Sequence, residues 1–269
     1  MAKISDLKGF VYPSPMGIAS CVGDLPWHYG TEHLCFTYRS DPEVIASYLP
    51  EPLMPSRESD LVMIDFGKWY CLWNEPDLPS INPERTWYQE TLIFVGCSFE
   101  GQESRYCVQS WVSTDFSLLR GYIMGFNKKI GETYKTTYHA MNPGMPELGP
   151  GVKMSGFMAS HGERLMEGQL TIEKEIPYDQ LPALLRGPQV NLRYFPSMVV
   201  GAPPAVCELL KLEVTNIRTG CAYAGGGQVK LFPSALEEHT NLEVRESLGA
   251  YYFENGYTIT GGKVLHNWV

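Results

Sequence analysis

Alternation with a period of two is the feature that most restricts this chain. In Leu210-Lys211-Leu212-Glu213-Val214-Thr215 the apolar residues fall on one side of an extended backbone and the polar ones on the other. Gln169-Leu170-Thr171-Ile172-Glu173 repeats the pattern. The 26 glycines and 20 prolines are spread through 269 residues without a repeat, linker or low-complexity tract, which suits many strands joined by turns. Thr91–Phe99 and Arg105–Ser113, separated by a segment containing Glu100-Gly101-Gln102, predict a hairpin. Two helices interrupt this β background. Ser40-Asp41-Pro42-Glu43 has capping-box spacing and opens a face of Val44, Ile45, Tyr48 and Leu49 that Pro50 ends. A second run starts near Asp115, carries Leu118, Leu119, Tyr122 and Ile123 on one side, and stops at Gly125. Gly225-Gly226-Gly227 reads as a wide turn, since it lacks the lysine and hydroxyl residue of a phosphate loop.

Charge and cysteine usage limit the partners. A formal net charge of −9 argues against nucleic acid and anionic membrane surfaces. No apolar stretch reaches 18 residues, and Met1-Ala2-Lys3-Ile4-Ser5-Asp6 lacks the apolar core of a signal peptide. The 7 cysteines form no Cys-x-x-Cys pair, so they read as reduced, mostly buried thiols in a cytoplasmic protein. Three groups near the front, His28, Glu32 and His33, match no common zinc spacing and predict no metal site. His139 and His161 read as turn or surface residues.

The chemically committed segment is Gly125-Phe126-Asn127-Lys128-Lys129. A lysine attacks a carbonyl only as the neutral amine, and with an ordinary pKa of ~10.4 about one in 10³ is neutral at pH 7. Depressing that pKa by roughly 3–4 units costs about 4–5 kcal/mol, which burial or a neighbouring cation must supply. If the segment is extended, Lys128 and Lys129 point to opposite faces. A helix C-terminus just upstream favours the charged form, so desolvation has to be the larger influence.

Phe126-Asn127-Lys128-Lys129-Ile130-Gly131 resembles the Schiff-base segment of the acetoacetate decarboxylases, where an aromatic, a proline and two lysines precede an apolar residue and often a glycine. The likeness extends to Tyr38-Arg39-Ser40-Asp41, Leu49-Pro50-Glu51-Pro52-Leu53, Tyr88-Gln89-Glu90, Cys207-Glu208-Leu209 and Leu231-Phe232 in the same order. The resemblance implies a mainly β (α+β) fold, an antiparallel closed cone-like β-barrel with a few peripheral helices, in a single domain over residues 1–269. It implies that Lys128 forms the imine, that Lys129 lowers its pKa, and that Glu90 acts near the reacting centre. Asp65, Thr31, Phe126 and Tyr88 would line the substrate site. The imine is itself the electron sink, so no cofactor is implied. The implied partner is a small keto acid, and a homo-oligomer is expected by the same likeness.

The departures narrow the substrate. Thr31 stands where the decarboxylases carry a carboxylate-binding arginine, eight residues before the position of Arg39. Threonine offers a hydrogen bond but no bidentate cationic grip. Arg85, Arg105, Arg120 and Arg193 are the candidates to replace it. Asn127 replaces the proline, and Arg120-Gly121-Tyr122 replaces a Gly-Arg-Glu. The leading expectation is a β-keto acid decarboxylase with a substrate other than acetoacetate possible. The alternatives are an aldolase-dehydratase using the same imine on a larger keto acid, or a non-catalytic barrel binding a small apolar ligand.

Overall fold

The computed structural model describes residues 3–269; Met1 and Ala2, part of the N-terminal segment read above, lie outside the described residues. Twelve strands form one sheet: β1 (Trp27–Arg39), β2 (Met54–Pro55), β3 (Leu61–Leu72), β4 (Trp87–Phe99), β5 (Gln102–Val112), β6 (Lys128–Ile130), β7 (Glu132–Lys135), β8 (Lys153–Ser160), β9 (Glu163–Glu175), β10 (Gln189–Phe195), β11 (Val206–Leu231) and β12 (Glu246–Asn267). Among the described residues four short helices are peripheral: α1 (Pro42–Ser47), α2 (Leu78–Ile81), α3 (Asp115–Ile123) and α4 (Ala183–Arg186). The strand order β10-β5-β4-β3-β1-β12-β11 closes on itself, because β10 pairs with β5 at one edge and with β11 at the other. Closure removes free edges. All ring pairings are antiparallel except β10–β5, and β6 adds to β5 in parallel.

The long β11 pairs with β12 along one edge and serves two neighbours along the other. Its first residues pair with β10, and residues 223–231 pair with β9, which leads through β8 to β7. That arm folds back over the outer face of the ring, where Thr91 of β4 and Thr133 of β7 share a hydrogen bond of 2.7 Å. β1, β3 and β4 are therefore covered on both faces. Leu34, Phe36, Ile64, Phe66, Ile93 and Val95 pack against Met158, Met166 and Leu170 of the arm. Cys35, Met63, Trp69, Tyr88, Leu92 and Phe94 face the ring interior. This double burial is why these strands read as near-continuous apolar runs rather than as alternation.

The predicted hairpin is present, with Glu100 (φ 49) and Gly101 (φ 78) in the left-handed region that a two-residue turn requires. His161 (φ 50) and Gly162 make the same turn between β8 and β9. Asp41, not Ser40, caps α1, accepting from the Glu43 amide at 2.9 Å. Gly225-Gly226-Gly227 is not a turn but the middle of β11. A Cβ on Gly225 would lie 2.0 Å from the Thr171 carbonyl oxygen of β9, and one on Gly227 2.3 Å from the Ala250 Cβ. Close strand approach, not chain reversal, demands glycine there. All seven cysteines are free thiols, five of them buried. Among the described residues no helix is long and apolar enough to cross a membrane.

Candidate active site

The ring encloses a cavity of about 810 Å³. Its lining alternates along each strand: Tyr29, His33 and Cys35 from β1, Asp65 and Trp69 from β3, Tyr88, Glu90, Leu92 and Phe94 from β4. Lys128 enters from β6. The two lysines part as alternation requires, with the Lys128 side chain 3% exposed and that of Lys129 44%.

Lys128 reaches the cavity by crossing α3 at Gly121. A Cβ on that glycine would fall 2.2 Å from Lys128 Cε and 2.3 Å from Cδ. Glycine in a helix costs about 1 kcal/mol relative to alanine, and here it opens the channel the lysine occupies. Beyond it, Nζ donates to Glu90 Oε2 at 3.0 Å and to Ser117 Oγ at 3.1 Å. Ser110 Oγ donates to Glu90 Oε1 at 2.5 Å and fixes that carboxylate. The Tyr88 and Phe126 rings stand 5.4 and 5.3 Å from Nζ. Burial lowers the Lys128 pKa, the Glu90 carboxylate opposes this, and the Arg120 guanidinium adds to the lowering.

Arg120 is the residue whose role the sequence did not disclose. It is fully buried beneath the cavity, with its guanidinium 5.2–5.8 Å from the rings of Trp27, Tyr29, Tyr88 and Phe116. It donates to Cys71 Sγ at 2.8 Å, its Nη2 has no partner, and it makes no ion pair among the described residues. An uncompensated permanent cation near Lys128 favours the neutral amine. Lys129, for which the likeness implied the modulating role, lies on the opposite face, paired with Glu237 and outside the cavity lining, while the charge of Arg120 adds to the lowering at Lys128.

Asp65 occupies the cavity wall, accepting from His33 Nδ1 at 2.7 Å through Oδ2, while its Oδ1 has no partner among the described residues. Thr31 lies behind the wall, within 2.8 Å of His33 Nε2 and 2.5 Å of Asn255 Oδ1. Asn255 in turn donates to the Tyr178 hydroxyl at 2.9 Å. His28 and Glu32 face outward, with His28 bonded to Thr258 and Glu32 to Lys135, so they do not join His33. The donor atoms of His33, Cys35 and Asp65 lie within 4.8 Å of one another, but Asp65 and Thr31 engage both His33 nitrogens. The Trp69 indole lies over Gly67, in the same cross-strand row as His33 and Glu90, and separates the His33–Asp65 pair from the lysine end.

A family model described as acetoacetate decarboxylase matches residues 11–268. The chain belongs to the acetoacetate decarboxylase family. Acetoacetate decarboxylase 1 of Bradyrhizobium diazoefficiens is 24% identical over 268 residues, covering 99% of this chain and 97% of that protein. Among solved structures, the enduracididine biosynthesis enzyme MppR complexed with the condensation product of pyruvate and imidazole 4-carboxaldehyde superposes with a TM-score of 0.91 at 26% identity, covering 100% of this chain and 99% of that one. An acetoacetate decarboxylase-like enzyme from Sphingomonas wittichii RW1 gives 0.90 at 25% identity, over 97% of this chain and 100% of that one. The mainly β fold with few helices is thus the fold of this family.

Proposed function

We propose that this protein is a cofactor-independent lyase whose Lys128 forms an imine with a keto acid. The observation that carries the reading is a buried lysine amine, 3.0 Å from a buried carboxylate, opening on a cavity large enough for substrate. Glu90 takes a proton from the Lys128 ammonium. The neutral amine then adds to the ketone carbon, and loss of water from the adduct leaves a cationic imine. Its positive charge draws electrons from the α-carbon, so a proton or carbon dioxide departs and an enamine remains. Ser117 accepts from the amine and Ser110 steadies Glu90, so the proton donor and acceptor are placed before substrate arrives.

Aldol condensation with dehydration is the reaction we favour for the enamine. Thr31 provides no cationic carboxylate grip where the decarboxylases have one, and the cavity holds a second polar group, His33–Asp65, beyond Trp69. The likeness to MppR, whose bound ligand is a pyruvate–aldehyde condensation product, supports the same choice. Decarboxylation is the second reading, favoured by the full-length match to a protein named acetoacetate decarboxylase 1.

Incubation with pyruvate and borohydride, followed by peptide mass spectrometry, tests the lysine. A reduced pyruvate adduct on Lys128 is the expected result, and its absence with every keto acid tried would leave a ligand-binding barrel. Product analysis separates the reactions: an unsaturated condensation product from pyruvate and an aldehyde supports the first reading, and carbon dioxide release from a β-keto acid supports the second.

A further inference from the structure

The cavity has a second charged end that the imine chemistry does not use. Glu90, Leu92 and Phe94 are successive inward positions of β4, so the Phe94 level lies about 13 Å along the strand from Glu90 at ~3.3 Å per residue. Arg105 lines the cavity there, with its guanidinium 4.7 Å from the Phe94 ring. Its Nε donates to Gln189 Oε1 at 3.1 Å, and its Nη1 to the Leu184 and Leu185 carbonyl oxygens at 3.4 and 3.0 Å. These bonds and the ring fix the side chain. Among the described residues Nη2 has no partner and Arg105 makes no ion pair.

The other arginines considered for a lost carboxylate grip are spent or misplaced. Arg193 is paired with Glu208 at 2.7 Å, Arg120 is sealed beneath the aromatic floor, and Arg85 is not part of the cavity lining. Around Arg105 the lining is also basic. Lys211 and Lys263 are direct cross-strand partners without carboxylate counterions among the described residues, and Arg186 stands nearby, against one acid, Glu213. Like charges directly opposite each other are unfavourable in a sheet. In a chain of net charge −9 this local excess of cations calls for an anion from outside.

We propose that Arg105 anchors a carboxylate at the end of the substrate remote from the ketone, so that the substrate class is an elongated keto acid carrying a second acidic group. This rests on Lys128 holding the ketone. The carboxylate beside a 2-oxo group is one bond from the imine carbon and cannot span to Arg105, so the anion it recognises is a distal one. A preorganised guanidinium grips carboxylate with a charge-assisted hydrogen bond and little further loss of entropy.

The test compares 2-oxosuberate with 2-oxooctanoate, of equal length but ending in a methyl group, by borohydride trapping at Lys128, with pyruvate as internal reference. Wild type should favour the dicarboxylate by about 10- to 100-fold, the factor of one hydrogen bond to a charged group. Along 2-oxoglutarate, 2-oxoadipate, 2-oxopimelate and 2-oxosuberate the trapping rate should rise. In Arg105→Gln the preference should fall to near unity, and Arg105→Lys should restore part of it. If both substrates decline together and their ratio persists, Arg105 merely braces α4 and the proposal is overturned. It is equally overturned if wild type shows no preference. Failure of pyruvate itself to trap would refute the imine reading instead. Calorimetry with suberate, which carries no ketone, on wild type and Arg105→Gln then still reads the anchor: equal affinities would refute it.

Discussion

Replacing Gly121 by alanine should disable the lysine while leaving the fold intact. The added Cβ would stand 2.2 Å from Lys128 Cε and 2.3 Å from Cδ, whereas carbon contacts are comfortable at about 3.5–4.0 Å. The side chain must retreat by more than about 1 Å, which takes Nζ out of its 3.0 Å bond with Glu90. Misplacing a reacting group by about 1 Å costs on the order of 10²-fold in rate. The substitution meanwhile favours α3 by about 1 kcal/mol through helix propensity. Single-turnover trapping of pyruvate and a thermal melt should therefore diverge, with trapping down about 10²-fold and Tm held or raised. Wild-type trapping rates in a folded Gly121→Ala protein would refute the claim that Lys128 is delivered through the Gly121 gap.

Opposite pH effects should follow from the two charges that flank Lys128. Glu90→Gln removes the carboxylate that raises the lysine pKa, so the acidic limb of the trapping profile should move to lower pH. Its plateau should fall by about 10²- to 10⁴-fold with loss of the proton acceptor. Arg120→Met removes a cation that lowers that pKa, and the same limb should move to higher pH. Lys129→Ala should leave the limb in place, since that ammonium is paired with Glu237 on the far face; a shift comparable to that of Arg120→Met would contradict the assignment. Gly67→Ala would bring a Cβ within 2.3 Å of the Trp69 ring and push the indole into the cavity. Trapping of long keto acids should then decline more than trapping of pyruvate, a split that competition between the two substrates measures directly.

The sequence carried the choice of Lys128 as the candidate lysine and the sidedness of the pair, because both follow from a local motif and from strand alternation. It also carried Glu90, Tyr88 and Phe126, which sit around Lys128 as the family likeness implied. Arg120 was harder to place. The sequence offered it only as one of four candidate carboxylate grips, and only the tertiary fold shows four aromatic rings closing over it. His33 was grouped with His28 and Glu32 by proximity in the chain, yet alternation turns it alone inward toward Asp65 on the next strand. The glycine triplet misled for the opposite reason. Three glycines permit a turn, but strand pairing with β9 and the crowding against Ala250 are long-range facts with no local signature. Ser110 and Ser117 had no signal either, being small polar residues whose partners lie 20 and 11 positions away.

The proposed imine chemistry requires burial to make the Lys128 amine available in its uncharged form. The most direct measurement is the pH dependence of pyruvate adduct formation on that residue, resolved by peptide mass spectrometry. Half-maximal trapping well below the ordinary lysine value of ~10.4 is the result the account requires. A midpoint at that ordinary value, or an adduct that forms on other lysines and never on Lys128, would contradict it.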